Sequence, residues 1–102
     1  MITKQAVKTY NLTVSEQRLT QIMKALGHPA RMQIVRYLSN HPQCFTGDIV
    51  EVLPLAQATV SQHLKVLRDA GLICGTIEGP ATSYCLDYNA IEWLKSQVGL
   101  ML

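Results

Sequence analysis

The chain has 102 residues, 48% of them hydrophobic and 16% charged, with a net charge of +2. That size fits one domain with a modest core, and no stretch holds the roughly 18–20 uninterrupted apolar residues of a membrane-spanning helix, so no membrane is expected among its partners. Three cysteines with no C-x-x-C pair argue against a disulfide framework and suit a reducing cytoplasm.

Charge is spread unevenly: residues 1–40 carry a net +5 and residues 41–102 a net −3. A polyanionic partner would meet its cations mainly in the first half, or in a doubled copy of the chain. The opening MITKQAVKTYNLT lacks the long apolar core of a secretory signal, and residues 1–12 fit a short helix or a loose arm.

Thr13 and Glu16 form the T-x-x-E capping box that opens a helix. Leu19, Ile22, Met23 and Leu26 mark its apolar face, and Gly27 ends it. Pro29 stands where a first helical residue belongs, so a second helix follows at once with His28 as its cap. Its core side reads Met32, Ile34, Val35 and Leu38, and Ser39, Asn40, His41 and Pro42 close it. Residues 43–46, with Cys44 and Phe45, fit a brief extended segment. Thr46 then caps a short third helix, with Asp48 in its first turn, Ile49, Val50 and Leu53 on its core face, and Pro54 as its stop.

Residues 56–71, AQATVSQHLKVLRDAG, read as one helix ended by Gly71, placed where a left-handed residue is wanted. Val60, Leu64 and Leu67 recur at helical period and predict one buried stripe. Ala58, Ser61, Gln62 and Lys65 turn away from it, with Thr59 at one shoulder. Short polar and amide groups with no bulky apolar side chain suit the floor of a DNA major groove, where glutamine can pair bidentately with adenine. The plain alternative is an amphipathic helix with a solvated polar face. With the short helix before it, this segment makes a helix-turn-helix.

Residues 72–78 and 82–87 are two strand-prone runs separated by Gly79, Pro80 and Ala81, which predicts a β-hairpin. Asn89 and Glu92 repeat the capping-box spacing and predict a last helix. Ile91, Leu94, Val98 and Met101 form its stripe, with Trp93, Leu100 and Leu102 beside it. That is more apolar surface than a terminal helix needs to lie on a small domain. The expected fold is mainly α with a small hairpin wing: a winged helix-turn-helix, one domain over residues 1–102.

The segments ALGHPARMQIVRYL and TVSQHLKVLRDAGLI, with the hairpin after GLI, resemble the two signature segments of the ArsR/SmtB family of winged-helix repressors. The likeness covers roughly residues 13–102. It implies a homodimer, paired through its first and last helices at Leu19, Ile91, Leu94, Val98 and Met101, that binds a double-stranded operator and releases it on sensing an inducer. Carried over position by position, it makes Gln57, Thr59, Ser61, Gln62 and His63 candidate DNA contacts, with Lys65 and Arg68 for phosphates. His63 lies nearer the buried stripe, so a core or capping use stands beside the DNA one. The hairpin departs from the family pattern, because its tip carries Glu78 and no cation, leaving Thr82 or backbone amides to meet DNA.

The family's metal sites are not matched. Where a pair of cysteines precedes an aspartate in the family, Phe45 and Gly47 stand before Asp48. Where the family's last helix supplies Asp, His and Glu, residues 88–102 hold Glu92 and no histidine. Classical zinc or cadmium sensing is therefore not expected. Cys44, Cys74 and Cys85 remain as candidate sensing thiols: the segment at 43–46 would join the hairpin as a third strand, with the hairpin's second strand in the middle. Three thiolates suit a soft ion such as trivalent arsenic, and two suit an oxidative or persulfide switch. Against this, free cysteine often serves as a small buried hydrophobe, and Cys85 alternates with Tyr84 and Leu86, which are expected to face the core. No phosphate loop, nucleophile elbow or assembled Ser/Cys–His–Asp set marks an enzyme. The remaining alternative is a winged helix, repressor or protein-contact module, with no metal or thiol sensing.

Overall fold

The computed structural model describes residues 10–41, 45–46, 56–76 and 83–102. Their order is α1 (Val14–Leu26), α2 (Pro29–Ser39), β1 (Phe45–Thr46), α3 (Gln57–Asp69), β2 (Ile73–Thr76), β3 (Ser83–Leu86) and α4 (Tyr88–Met101). The short helix expected after Thr46, the hairpin tip with Thr82, and Cys44 lie outside the described residues.

Local chemistry sets the helix ends. The Thr13 hydroxyl accepts from the Glu16 amide at 3.1 Å, and the Glu16 carboxylate accepts from the Thr13 amide at 2.9 Å, closing the capping box of α1. His28 caps α2: its Nδ1 accepts from the Ala30 amide at 3.1 Å, with Pro29 at the first helical position. Gly71 follows α3 with φ of +82°, and the Gly71 and Leu72 amides bond back to the Arg68 and Leu67 carbonyls. That is the paired closure of a glycine-ended helix, and it turns the chain directly into β2.

One expected cap is corrected. Asp87, not Asn89, caps α4, its carboxylate accepting from the Ala90 amide at 3.1 Å. Aspartate caps as well as asparagine and adds a charge that favours the helix N-terminus, so the helix starts early enough to take Asn89 inside it. Glu92 instead pairs with Lys95 at 3.3 Å.

The core is built from α1 (Ile22, Ala25), α2 (Ile34, Leu38), α3 (Val60, Leu64, Leu67), and the hairpin and its approach (Leu72, Ile73, Tyr84, Leu86). Met23 and Met32, expected on core faces, are exposed, and Ala25 and Ala30 are buried instead. Leu26, Val35, Ile91, Trp93 and Leu94 pack on the edge of this core. The Arg18 guanidinium lies 4.2 Å above the Trp93 ring, tying α4 to α1.

The three strands form one antiparallel sheet in the order β1–β3–β2, with Phe45 opposite Tyr84 and Ile73 opposite Leu86. Strand β1 thus joins the hairpin, with the hairpin's second strand in the centre, as expected. Tyr84 and Leu86 point into the core, so the pleat sends Cys85 between them to the other face.

Candidate nucleic-acid interface

Helix α3 has two unlike sides. Val60, Leu64 and Leu67 are buried against α1, α2 and the sheet, while Ala58, Thr59, Ser61, Gln62 and Lys65 are exposed. The buried stripe fixes the rod's position and rotation, so the polar groups are presented from a rigid base. Burying three such side chains stabilises the seat by roughly 1.5–3 kcal/mol each. Gln57 lies in the first turn of α3, and its side chain is outside the described residues.

The N-terminus of α3 adds to this face. Its cap is Ala56, which has no side-chain oxygen to offer to the first amides. The other helices with described N-termini are capped by Thr13, His28 and Asp87 side chains. Near the far end of α3, Arg68 is half-buried and lies 3.9 Å from the Asp69 carboxylate, a weak pairing at such exposure.

His63 is placed away from the exposed face. It is half-buried, its ring 4.4 Å from that of His28, with Nδ1 3.4 Å from Arg31 Nη1. Arginine can only donate, so His63 Nδ1 accepts and the neutral ring carries its proton on Nε2. Arg31 Nε also donates to the Ala25 carbonyl at 2.6 Å, near the end of α1. One guanidinium therefore links the end of α1, the start of α2 and the inner shoulder of α3. The sequence reading missed Arg31. Its signal was a cation in the first turn of α2, where the helix dipole disfavours it unless acceptors stand nearby.

Burial first, then His28 and Arg31, lowers the His63 pKa from its ordinary 6.5. The unfolded chain then binds the proton more readily than the folded one, so stability rises with pH across this window. The melting temperature is expected to fall as pH drops below about 6.5 toward the lowered folded value, and His63→Gln should flatten that dependence. A wild-type melting temperature that rises on acidification through this range would show the sign to be wrong.

The other site residues fall into two groups. Ile91, Leu94 and Val98 are half-buried on α4, and beyond them Leu100, Met101 and Leu102 are 81%, 57% and 95% exposed. Leu19, the other residue expected at the pairing face, is 3% exposed within the subunit. Cys74 and Cys85 stand directly opposite each other on β2 and β3, with Sγ atoms 3.7 Å apart. Cys74 is an exposed free thiol, whereas Cys85 is half-buried and disulfide-bonded, which the odd cysteine count had argued against. Among the described residues, no group of three or more His, Cys, Asp or Glu side chains could hold a metal ion. No helix among them is long and apolar enough to cross a membrane.

With this geometry, known proteins are informative. Residues 28–74 match the family described as "Bacterial regulatory protein, arsR family". The chain is 30% identical over 81 residues to the HTH-type transcriptional regulator YgaV of Escherichia coli (strain K12), covering 79% of this chain and 82% of that protein. It is 35% identical over 75 residues to the HTH-type transcriptional regulator Rv2034 of Mycobacterium tuberculosis, covering 74% of this chain and 69% of that protein. A crystal structure of a "possible transcriptional regulator for arsenical resistance" superposes with a TM-score of 0.61 at 24% identity, covering 79% of this chain and 82% of that one. At that identity the superposition speaks for the fold, a winged helix-turn-helix.

Proposed function

We propose that this chain, which belongs to the arsR family of bacterial regulatory proteins, DNA-binding transcriptional regulators and not enzymes, acts as a homodimeric repressor reading its operator with α3. The observation that carries this is the division of α3 into a stripe of buried aliphatic side chains and a face of Thr59, Ser61, Gln62 and Lys65 in solvent. Hydroxyl and amide groups read base edges, and the lysine neutralises a phosphate. Pairing is supported by the apolar end of α4, where the three consecutive large side chains of Leu100, Met101 and Leu102 are exposed. Two copies would set two reading helices on half-sites about 34 Å apart.

Release of the operator is assigned to the hairpin cysteines, by an oxidant, a persulfide or, once they are reduced, a thiophilic ion such as trivalent arsenic. The support is the opposed Cys74 and Cys85 pair with its 3.7 Å sulfur separation. Both residues lie on the hairpin that leaves α3 through Gly71, so a change in sulfur chemistry acts on the element next to the reading helix.

Binding to the duplex upstream of the protein's own gene tests the DNA reading. The affinity is expected to fall on the order of a thousandfold between about 50 and 200 mM salt, as phosphate-bound counterions are released. Salt-independent binding, or none, would favour a module that contacts proteins only. The same assay repeated with arsenite, peroxide and persulfide tests release, and a Cys44, Cys74 and Cys85 triple serine variant should be insensitive to all three.

A further inference from the structure

We infer that the open groove between α1 and α3 is a binding site for a small organic carboxylate, gripped by Arg31 and Lys24, and that its occupation bears on α3. The groove has a volume of about 490 Å³, within the range of small-molecule sites. Its apolar lining comes from Ala25 on α1 and from Val66 and Ala70 along the second half of α3, and its cations are Lys24 and Arg31. Val66 is 39% exposed, so its methyl groups are open to a ligand's hydrocarbon.

Arg31 is the residue that asks for an anion. It is half-buried, yet no carboxylate pairs with it among the described residues. A cation withdrawn from water is ordinarily met by an anion or by a full set of acceptors. Here Nε donates to the Ala25 carbonyl and one Nη1 hydrogen to His63 Nδ1. The second Nη1 hydrogen and both hydrogens on Nη2 have no acceptor among the described residues. Donors thus remain on both Nη atoms, the pair that a carboxylate accepts in bidentate fashion. The two bonds already made hold the guanidinium in place beforehand. Arg31 also stands in the first turn of α2, where the helix dipole adds to the positive field.

Charge and lining together select the ligand class. Ala25, Val66 and Ala70 offer nothing to a bare inorganic anion, whereas a hydrocarbon body attached to a carboxylate covers them. Asp69 lines the groove as well, and its exposed carboxylate repels a run of successive phosphates, which disfavours the DNA backbone as the occupant. The link to α3 runs through Arg31 itself. A carboxylate drawing the guanidinium into the groove competes with His63 Nδ1 for it, and His63 belongs to α3. Ligand binding is thereby coupled to the seat of that helix, and DNA binding reciprocally to ligand affinity. This coupling, unlike the site, rests on the DNA-reading role proposed above.

The test titrates the full chain with benzoate at constant ionic strength and follows the methyl groups of Ala25, Val66 and Ala70 by NMR. Saturable shifts at these methyls are expected, with Ala58 on the exposed face of α3 unmoved. Benzamide, the neutral isostere, and inorganic phosphate, an anion with no hydrocarbon body, should each bind about tenfold more weakly or worse. Arg31→Lys keeps the charge but loses the fork, and should weaken benzoate on the order of tenfold. Lys24→Gln, at an exposed position, should weaken it about threefold and keeps the test open if Arg31→Lys misfolds. No saturable shift, equal binding of benzamide or phosphate, or full affinity in Lys24→Gln would overturn the site. Saturating benzoate should also weaken wild-type binding to the upstream duplex severalfold, and an unchanged affinity would overturn the coupling to α3. Were duplex binding absent altogether, the operator reading would fail while the methyl shifts still decided the site.

Discussion

Leu67→Ala is expected to cost the domain about 2–5 kcal/mol, a large share of the roughly 5–15 kcal/mol that holds a domain of this kind together. Leu67 is fully buried in the core cluster that joins Ile22, Ile34, Leu38, Leu72 and Tyr84. Its carbonyl also accepts the Leu72 amide at 3.0 Å in the closure that follows α3. Truncation removes apolar burial and leaves a cavity where helices and sheet meet, which cannot collapse without moving α3. At about 4–8 °C per kcal/mol for a chain near this length, the loss is easily read in a thermal melt. Met32→Ala, at an exposed position on α2, should change stability by no more than about 0.5 kcal/mol. Equal effects of the two would mean that the buried stripe of α3 does not hold it.

The second large effect concerns binding. Ser61→Glu places a carboxylate on the exposed face of α3, away from the core. A like charge brought against a phosphate backbone costs several kcal/mol, so affinity for the upstream duplex should drop on the order of a hundredfold or more. The melting temperature should hardly move, because Ser61 makes no part of the core. Affinity retained within a fewfold would place DNA elsewhere on the molecule.

Much of this was legible in the chain itself, for identifiable reasons. The capping box at Thr13, the proline after His28 and the glycine after α3 are strong local signals, and each ends or opens a helix where expected. The stripe of Val60, Leu64 and Leu67 is periodic and was read directly. Local patterns are weaker where tertiary contact decides. Met23 and Met32 fit the apolar period of their helices but are exposed, and Ala25 and Ala30 are buried instead. Asn89 and Asp87 offer two plausible caps two residues apart, and only the exit from β3 selects Asp87. The inward turn of His63 depends on Arg31, which is 32 residues away in sequence and invisible to any local pattern. The placement of Cys74 opposite Cys85 follows from hairpin register, which the sequence constrained only through the alternation of Tyr84 and Leu86. Gln57, Thr82 and Cys44 fall outside what the structure describes at side-chain level.

The most direct measurement compares Gln62→Ala with Lys65→Ala on the upstream duplex and on a scrambled duplex of equal length, across a salt series. If α3 reads bases with its amide and grips the backbone with its cation, Gln62→Ala narrows the preference for the upstream duplex by about 1–3 kcal/mol at each half-site. Lys65→Ala should instead weaken both duplexes alike and, with one lysine lost from each of two subunits, reduce the salt slope by about 2. Unchanged preference in Gln62→Ala together with an unchanged slope in Lys65→Ala would contradict a DNA-reading role for this helix.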